Sequence, residues 1–295
     1  MQVAWYVPVV LRIIVANGVA AWLIKALSKQ SIARRNFLQF LFCFAYAFVF
    51  VLFTGQFTYS RQTALIALIA LIGFFNSLGA YCQWQAISIS LSKNSLFTFW
   101  DDVIAMTLAY LVLGEAQILS SGTLLGIVLS VSAVALLAWT GLQRKTEGRI
   151  TPTFLAYVGT YSIIWGCAVF SMGYFGLKGF PMSTFLVYWY GGAVVGSLLI
   201  LCFLVPRQND STPFVRDLFI MPVFSLTIIV ALAMQYWAFT LALLMVVQAI
   251  FLDSEMIVPA LIGLIAFGER KHFNTQEKLF FAMGILGGIL IGVNF

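Results

Sequence analysis

Apolar residues run along this chain in unbroken stretches such as "TALIALIALIGFF" at 63–75. They show neither the alternation of a half-buried strand nor the polar face of a soluble amphipathic helix. A helix that is apolar all round belongs in lipid, and crossing a ~30 Å hydrocarbon layer takes about 20 residues. Cutting the sequence at charged or Pro/Gly/Asn-rich breaks predicts ten spans, at 3–25, 36–57, 63–88, 94–113, 120–142, 153–176, 181–205, 217–240, 246–267 and 276–294. No polar loop marks the break near 243–247. It follows from length, because the apolar run 218–267 is too long for one crossing. A closed barrel would need alternating strands of about ten residues, and the pattern offers none. The expected fold class is an all-α polytopic membrane protein, and the first span lacks a cationic leader or cleavage site, so it is expected to act as its own insertion signal.

Composition agrees: 62% of the 295 residues are hydrophobic and 9% charged, against about 25% charged in soluble domains. The net charge of +6 does not call for a nucleic-acid partner, because the cations sit between spans. Loops after the odd spans hold thirteen Lys/Arg, counting Lys25 and Lys278 at the span edges, whereas the alternate loops hold Arg61 and Lys178. The positive-inside rule then places both termini outside, in what is expected to be a bacterial inner membrane. Cys43, Cys82, Cys167 and Cys202 lie in apolar stretches without ligand-like spacing and read as buried small hydrophobes. Neither a metal site nor a cofactor is expected.

The most hydrophilic linker, "GLQRKTEGRITP", lies at the centre of the chain and prompts a search for a repeat. A shift of 154 residues places Gly114-Glu115 on Gly268-Glu269 and Asp101 on Glu255, so an acid precedes a Gly-Glu pair by thirteen residues in both halves. The expected organisation is a five-helix repeat at 1–142, a linker at 143–152 and a second repeat at 153–295. Five spans per repeat is an odd number, so the copies enter the membrane inverted, as in many secondary transporters.

An apolar fourth span ending in Gly-Glu, then a polar turn and a Gly-containing fifth span, "GEAQILSSGTLLGIVLSVSAVALLAW", returns in the second half as "GERKHFNTQEKLFFAMGILGGILIGV". With "IIWGCAV" at 163–169, this pattern resembles the EamA type of the drug/metabolite transporter superfamily over nearly the whole chain. The resemblance implies a five-plus-five helical carrier that moves small polar or amphipathic metabolites, often amino acids, by alternating access. This chain departs from the pattern in three places: Asp102 and Met256 stand where the family carries proline, and Arg12 falls opposite Gly166.

Counting back thirteen residues from Gly114 puts Asp101 about 20 Å into the layer, and Glu255 reaches a similar depth from the other face. Asp102, Asp253 and Arg12 share that predicted centre. A charge at mid-bilayer costs about 2.5–3.5 kcal/mol on insertion scales, so such groups face one another or water. Their functional reading is a site for a small zwitterionic metabolite such as an amino acid, with Arg12 on its carboxylate and protons as a candidate coupling ion. Their structural reading is a salt bridge that ties span one to span four or nine. Asn17, Asn76, Gln83, Gln85, Gln235 and Gln248 also lie at depth, interleaved with Tyr81, Trp84, Tyr236 and Trp237. "AYCQWQ" and "AMQYWA" take similar places in the two halves, which suits an aromatic and amide pocket of Gln83, Trp84, Gln235, Tyr236 and Trp237, with interhelical hydrogen bonding as the structural alternative. Trp5, Trp139 and Tyr190 read equally as interface belts or as site residues, Glu115 and Glu269 as surface helix ends, and His272 as a solvated loop residue. Prenyltransferase-like or presenilin-like acid motifs are missing, so no enzyme is expected. A non-transporting scaffold or lipid-flippase subunit is the alternative, and a monomer is sufficient for either role.

Overall fold

A computed structural model describes residues 4–20, 23, 32–55, 63–89, 94, 99–117, 119–143, 151–204, 214–266 and 275–294. Ten helices form it, and no strand occurs among the described residues. α1 covers Tyr6–Ala20 and widens from α- to π-helical at Ile14. α2 is Ile32–Thr54, α3 Thr63–Ile89, and α4 Phe99–Leu108 with π-turns over Ala109–Leu113. α5 is Ser121–Gln143, α6 Pro152–Leu177, and α7 Met182–Leu199 with a π-extension over Ile200–Leu204. α8 is Phe214–Leu241, α9 Leu244–Ala266 and α10 Thr275–Asn294. Five of them, α2, α3, α6, α7 and α8, are long and apolar enough to cross a membrane.

The helix faces are sorted by size more than by polarity. On α3 the buried positions are Ile69, Gly73, Asn76, Ser77, Gly79, Cys82 and Ala86, whereas Leu68, Leu71 and Phe75 are exposed. Membrane helices in general are sorted this way, because large apolar side chains lose nothing by facing lipid and close packing goes to small residues. At the crossing of α3 and α7, a Cβ on Gly73 would strike the Trp189 carbonyl, and one on Gly192 the Ala70 carbonyl. Aromatic residues fill the layer behind that crossing. Phe185 lies 5.2 Å from Trp189 and 4.7 Å from Tyr236 between ring centroids.

Local signals set the helix ends. Thr151 caps α6 by accepting the Phe154 N–H at 3.2 Å, with Pro152 in the first turn. Gly114 closes α4 in the left-handed region, φ 66°. The break between α8 and α9, inferred above from length alone, falls at Ala242 and Leu243. It needs no polar loop because Glu115 caps α9 from across the bundle. Its carboxylate accepts the Leu244 N–H at 3.0 Å and the Met245 N–H at 2.8 Å. Glu115 is therefore 2% exposed and not a surface helix end. Burial raises its carboxyl above the ordinary value, against the pull of the two backbone bonds.

Helices of the two halves interleave. α3 packs on α7 as α8 packs on α2, α3 on α6 as α8 on α1, and α4 on α6 as α9 on α1. The contacts of α2 with α7, α4 with α9 and α5 with α10 are their own counterparts when five is added to each number. The expectations for Tyr190 and for two of the cysteines need correction. Tyr190 is a core residue at 1% exposure and not a belt residue, because the α2–α7 crossing encloses it. Trp139 is 62% exposed, as a belt residue is. Of the cysteines, Cys43 and Cys82 are buried, but Cys167 and Cys202 are exposed on outward helix faces.

Candidate functional site

Four helices, α1, α4, α6 and α9, bring a charged cluster together. Arg12 lies where α1 widens into its π-helical half and is 6% exposed. Its Nη2 donates to Glu255 Oε1 at 2.8 Å, and its guanidinium sits 4.1 Å from the centre of the Phe251 ring, one turn before Glu255 on α9. Asn17, one turn and a half further along α1, donates to Ser254 Oγ at 3.0 Å and ties the same two helices again.

Asp101 and Asp102 follow one another on α4, 3% and 2% exposed. A step of about 100° around the helix separates their directions. Asp101 turns to α6, where the Tyr161 hydroxyl donates to its Oδ2 at 3.5 Å. Asp102 turns to α9, where Gln248 Nε2 donates to its Oδ1, and Gln235 Nε2 donates in turn to Gln248 Oε1 at 3.5 Å. Gly166 lets α6 come close here, since a Cβ would meet the Asp101 carbonyl and the Ile104 side chain. Arg12 and the carboxylates lie within each other's fields: Asp101 feels Asp102, Glu255 and Arg12, and Asp102 feels Glu255 and Arg12.

Three acids thus share one arginine. Three buried polar atoms of the cluster have no hydrogen-bond partner among the described residues: Arg12 Nη1, Asp101 Oδ1 and Asp102 Oδ2. Burying such atoms unpaired costs about 1–3 kcal/mol each and more when charged. The Glu255 side chain is 30% exposed, so the cluster is not sealed by protein at its acid end.

Other expected site residues lie elsewhere. Asp253 is on the opposite side of α9, where its Oδ2 accepts from Ser130 of α5 at 2.7 Å beside Gly288 of α10. Two residues along a helix turn the side chain about 200°, which takes Asp253 out of the central cluster. The aromatic and amide motifs do not form one pocket. Trp84 donates to Gln39 Oε1 at 3.2 Å and packs on Phe224 near the start of α8. Tyr236, twelve residues or about 18 Å further along α8, donates to the Phe180 carbonyl at 2.7 Å. Tyr236 and Trp237 line a pocket of about 390 Å³ at the α6–α7 turn with Gly176, Phe180, Met182 and Thr240. Gln83 is half-buried on α3. Of the five motif residues only Gln235 joins the acids. Tyr161 and Phe251, which complete the cluster, were not picked out by the sequence; Tyr161 lies between Thr160 and Ser162 and Phe251 between Ile250 and Leu252, and neither stretch carries a charge pattern or motif of its own that points to the acids. Glu269 and His272 lie outside the described residues. No group of three His, Cys, Asp or Glu with metal-binding geometry occurs among the described residues.

No family model matches the sequence, and no curated protein matches it. Among solved structures, the crystal structure of a protein 13% identical in sequence superposes with a TM-score of 0.68, covering 98% of this chain and 95% of its own. At that identity the likeness shows a shared fold.

Proposed function

We propose that this chain is a secondary transporter of the EamA type in the drug/metabolite transporter superfamily. It crosses the membrane ten times as two inverted five-helix repeats and moves a small polar or zwitterionic metabolite by alternating access. The paired helix contacts described above support the repeat: apart from α5 on α9, the packings between halves have counterparts five helices on, as a two-fold axis in the membrane plane requires. The bias of Lys and Arg toward the odd loops supports termini on the outer side.

One observation carries the reading. The bonds of Arg12 to Glu255, Tyr161 to Asp101 and Gln248 to Asp102 each join a residue of the first half to one of the second. A rocking motion of one half against the other has to break and remake these contacts, so a ligand that competes for them is coupled to the motion. A scaffold gains little from buried acids that lack partners. The Arg12–Glu255 pair alone also fits a purely structural tie between α1 and α9.

The test begins with thermal unfolding of the purified protein against amino acids, amines, sugars and nucleosides. A compound that raises Tm is then followed in exchange across proteoliposomes. The expected result is ligand-dependent stabilisation and exchange by the wild type, both lost in folded Asp101→Asn and Glu255→Gln variants. The reading fails if no compound raises Tm and the variants are merely less stable.

A further inference from the structure

The cluster specifies its ligand more closely than "polar metabolite". We infer that it takes a diamino carboxylate, the chemistry of a basic amino acid. This rests on the transport-site reading above and deepens it. The argument is one of complementarity. Arg12 Nη1 is a charged donor in need of an acceptor, while Asp101 Oδ1 and Asp102 Oδ2 are acceptors in need of donors. All three belong to side chains more than nine-tenths buried, in reach of one another's fields.

A carboxylate satisfies Arg12 Nη1 without displacing Glu255, which is held by Nη2. Two ammonium groups satisfy the two aspartates, whose other oxygens are engaged by Tyr161 and Gln248 on different helices. The divergence of Asp101 and Asp102 around α4 favours two separate ammonium groups over one shared between them. Charge points the same way. The Arg12–Glu255 pair is neutral as a unit, so the aspartates leave an acid excess that a net cation reduces and that a neutral or acidic amino acid does not.

Four probes separate the contributions: lysine, cadaverine (lysine without its carboxylate), norleucine (without its side-chain ammonium) and glutamate. Calorimetric titration of each into the detergent-purified protein is expected to show lysine binding tightest. Loss of either group should weaken binding by about tenfold or more, the usual cost of a charge-assisted hydrogen bond. The folded Arg12→Gln variant should bind lysine and cadaverine alike. Asp102→Asn or Asp101→Asn should bind lysine and norleucine alike, and Arg12→Lys should restore part of the preference for lysine over cadaverine. The inference is overturned if norleucine or glutamate binds as tightly as lysine, the outcome expected if both aspartates simply hold protons. It is also overturned if lysine does not bind. Binding of a sugar, nucleoside or neutral amino acid that depends on Arg12 would overturn the basic-amino-acid assignment and leave the transport reading standing. Absence of binding by every class would remove both.

Discussion

Replacing Glu115 by alanine removes both acceptors at the start of α9 and leaves the Leu244 and Met245 N–H groups buried without them. Each buried donor stripped of its partner costs about 1–3 kcal/mol, so the gross loss is about 2–6 kcal/mol. The carboxylate itself is expensive to bury, and burial pushes its pKa upward. Deleting it returns part of that cost and brings the net to about 2–4 kcal/mol. At about 2 °C per kcal/mol for a chain of this size, Tm should fall by about 4–8 °C. Glu115→Gln keeps one acceptor and should fall by about half as much. The assay is thermal unfolding in detergent, with hydrogen exchange at Leu244 and Met245 as a local readout. An alanine variant within about 1 °C of wild type, with unchanged exchange at those amides, would refute the capping argument. It would mean that the start of α9 finds its partners in water.

Further outcomes follow from the same geometry. Arg12→Gln and Glu255→Gln should each destabilise by about 1–3 kcal/mol, kept modest by the exposure of Glu255; the double variant should lose less than the sum, and additive losses in a double-mutant cycle would show that the pair is not coupled. Gly73→Ala forces a Cβ onto the Trp189 carbonyl, so it should cost about 1–3 kcal/mol or abolish folding, and an unchanged Tm would contradict the close crossing of α3 and α7. Ser130→Ala strips a hydrogen bond from buried Asp253 and should cost about 1–3 kcal/mol; this is checked by thermal unfolding beside Ser130→Thr, which keeps the hydroxyl. A topology reporter fused after Phe295 should be active only on the outer side, and a cytoplasmic signal would overturn the charge-based orientation.

The helices themselves were legible because each span is fixed by short-range information. Apolar length and a few breakers such as Gly114 and Pro152 suffice, and even the loopless break before Leu244 could be placed by length. The 154-residue shift that aligns Asp101 with Glu255 can also be read directly from the chain. Depth counting placed Arg12, Asp101, Asp102, Asp253 and Glu255 near the middle of their helices, and all but Asp253 come together in the fold. Direction around the helix was lost in that counting. Spans that are apolar on every side give no phase, so nothing in the sequence indicated that Asp253 turns to Ser130 or that Trp84 and Tyr236 serve different ends of the bundle. Partners supplied from a distant helix were also hidden. Glu115 looked like a surface residue because its acceptors serve amides 129 and 130 residues away, and Tyr161 gave no sign until α6 was brought against α4 at Gly166. The sequence by itself determined which segments are helices, because apolar length and helix breakers are local properties of the chain. Only the tertiary structure decided which faces meet, because that depends on where small residues let backbones approach.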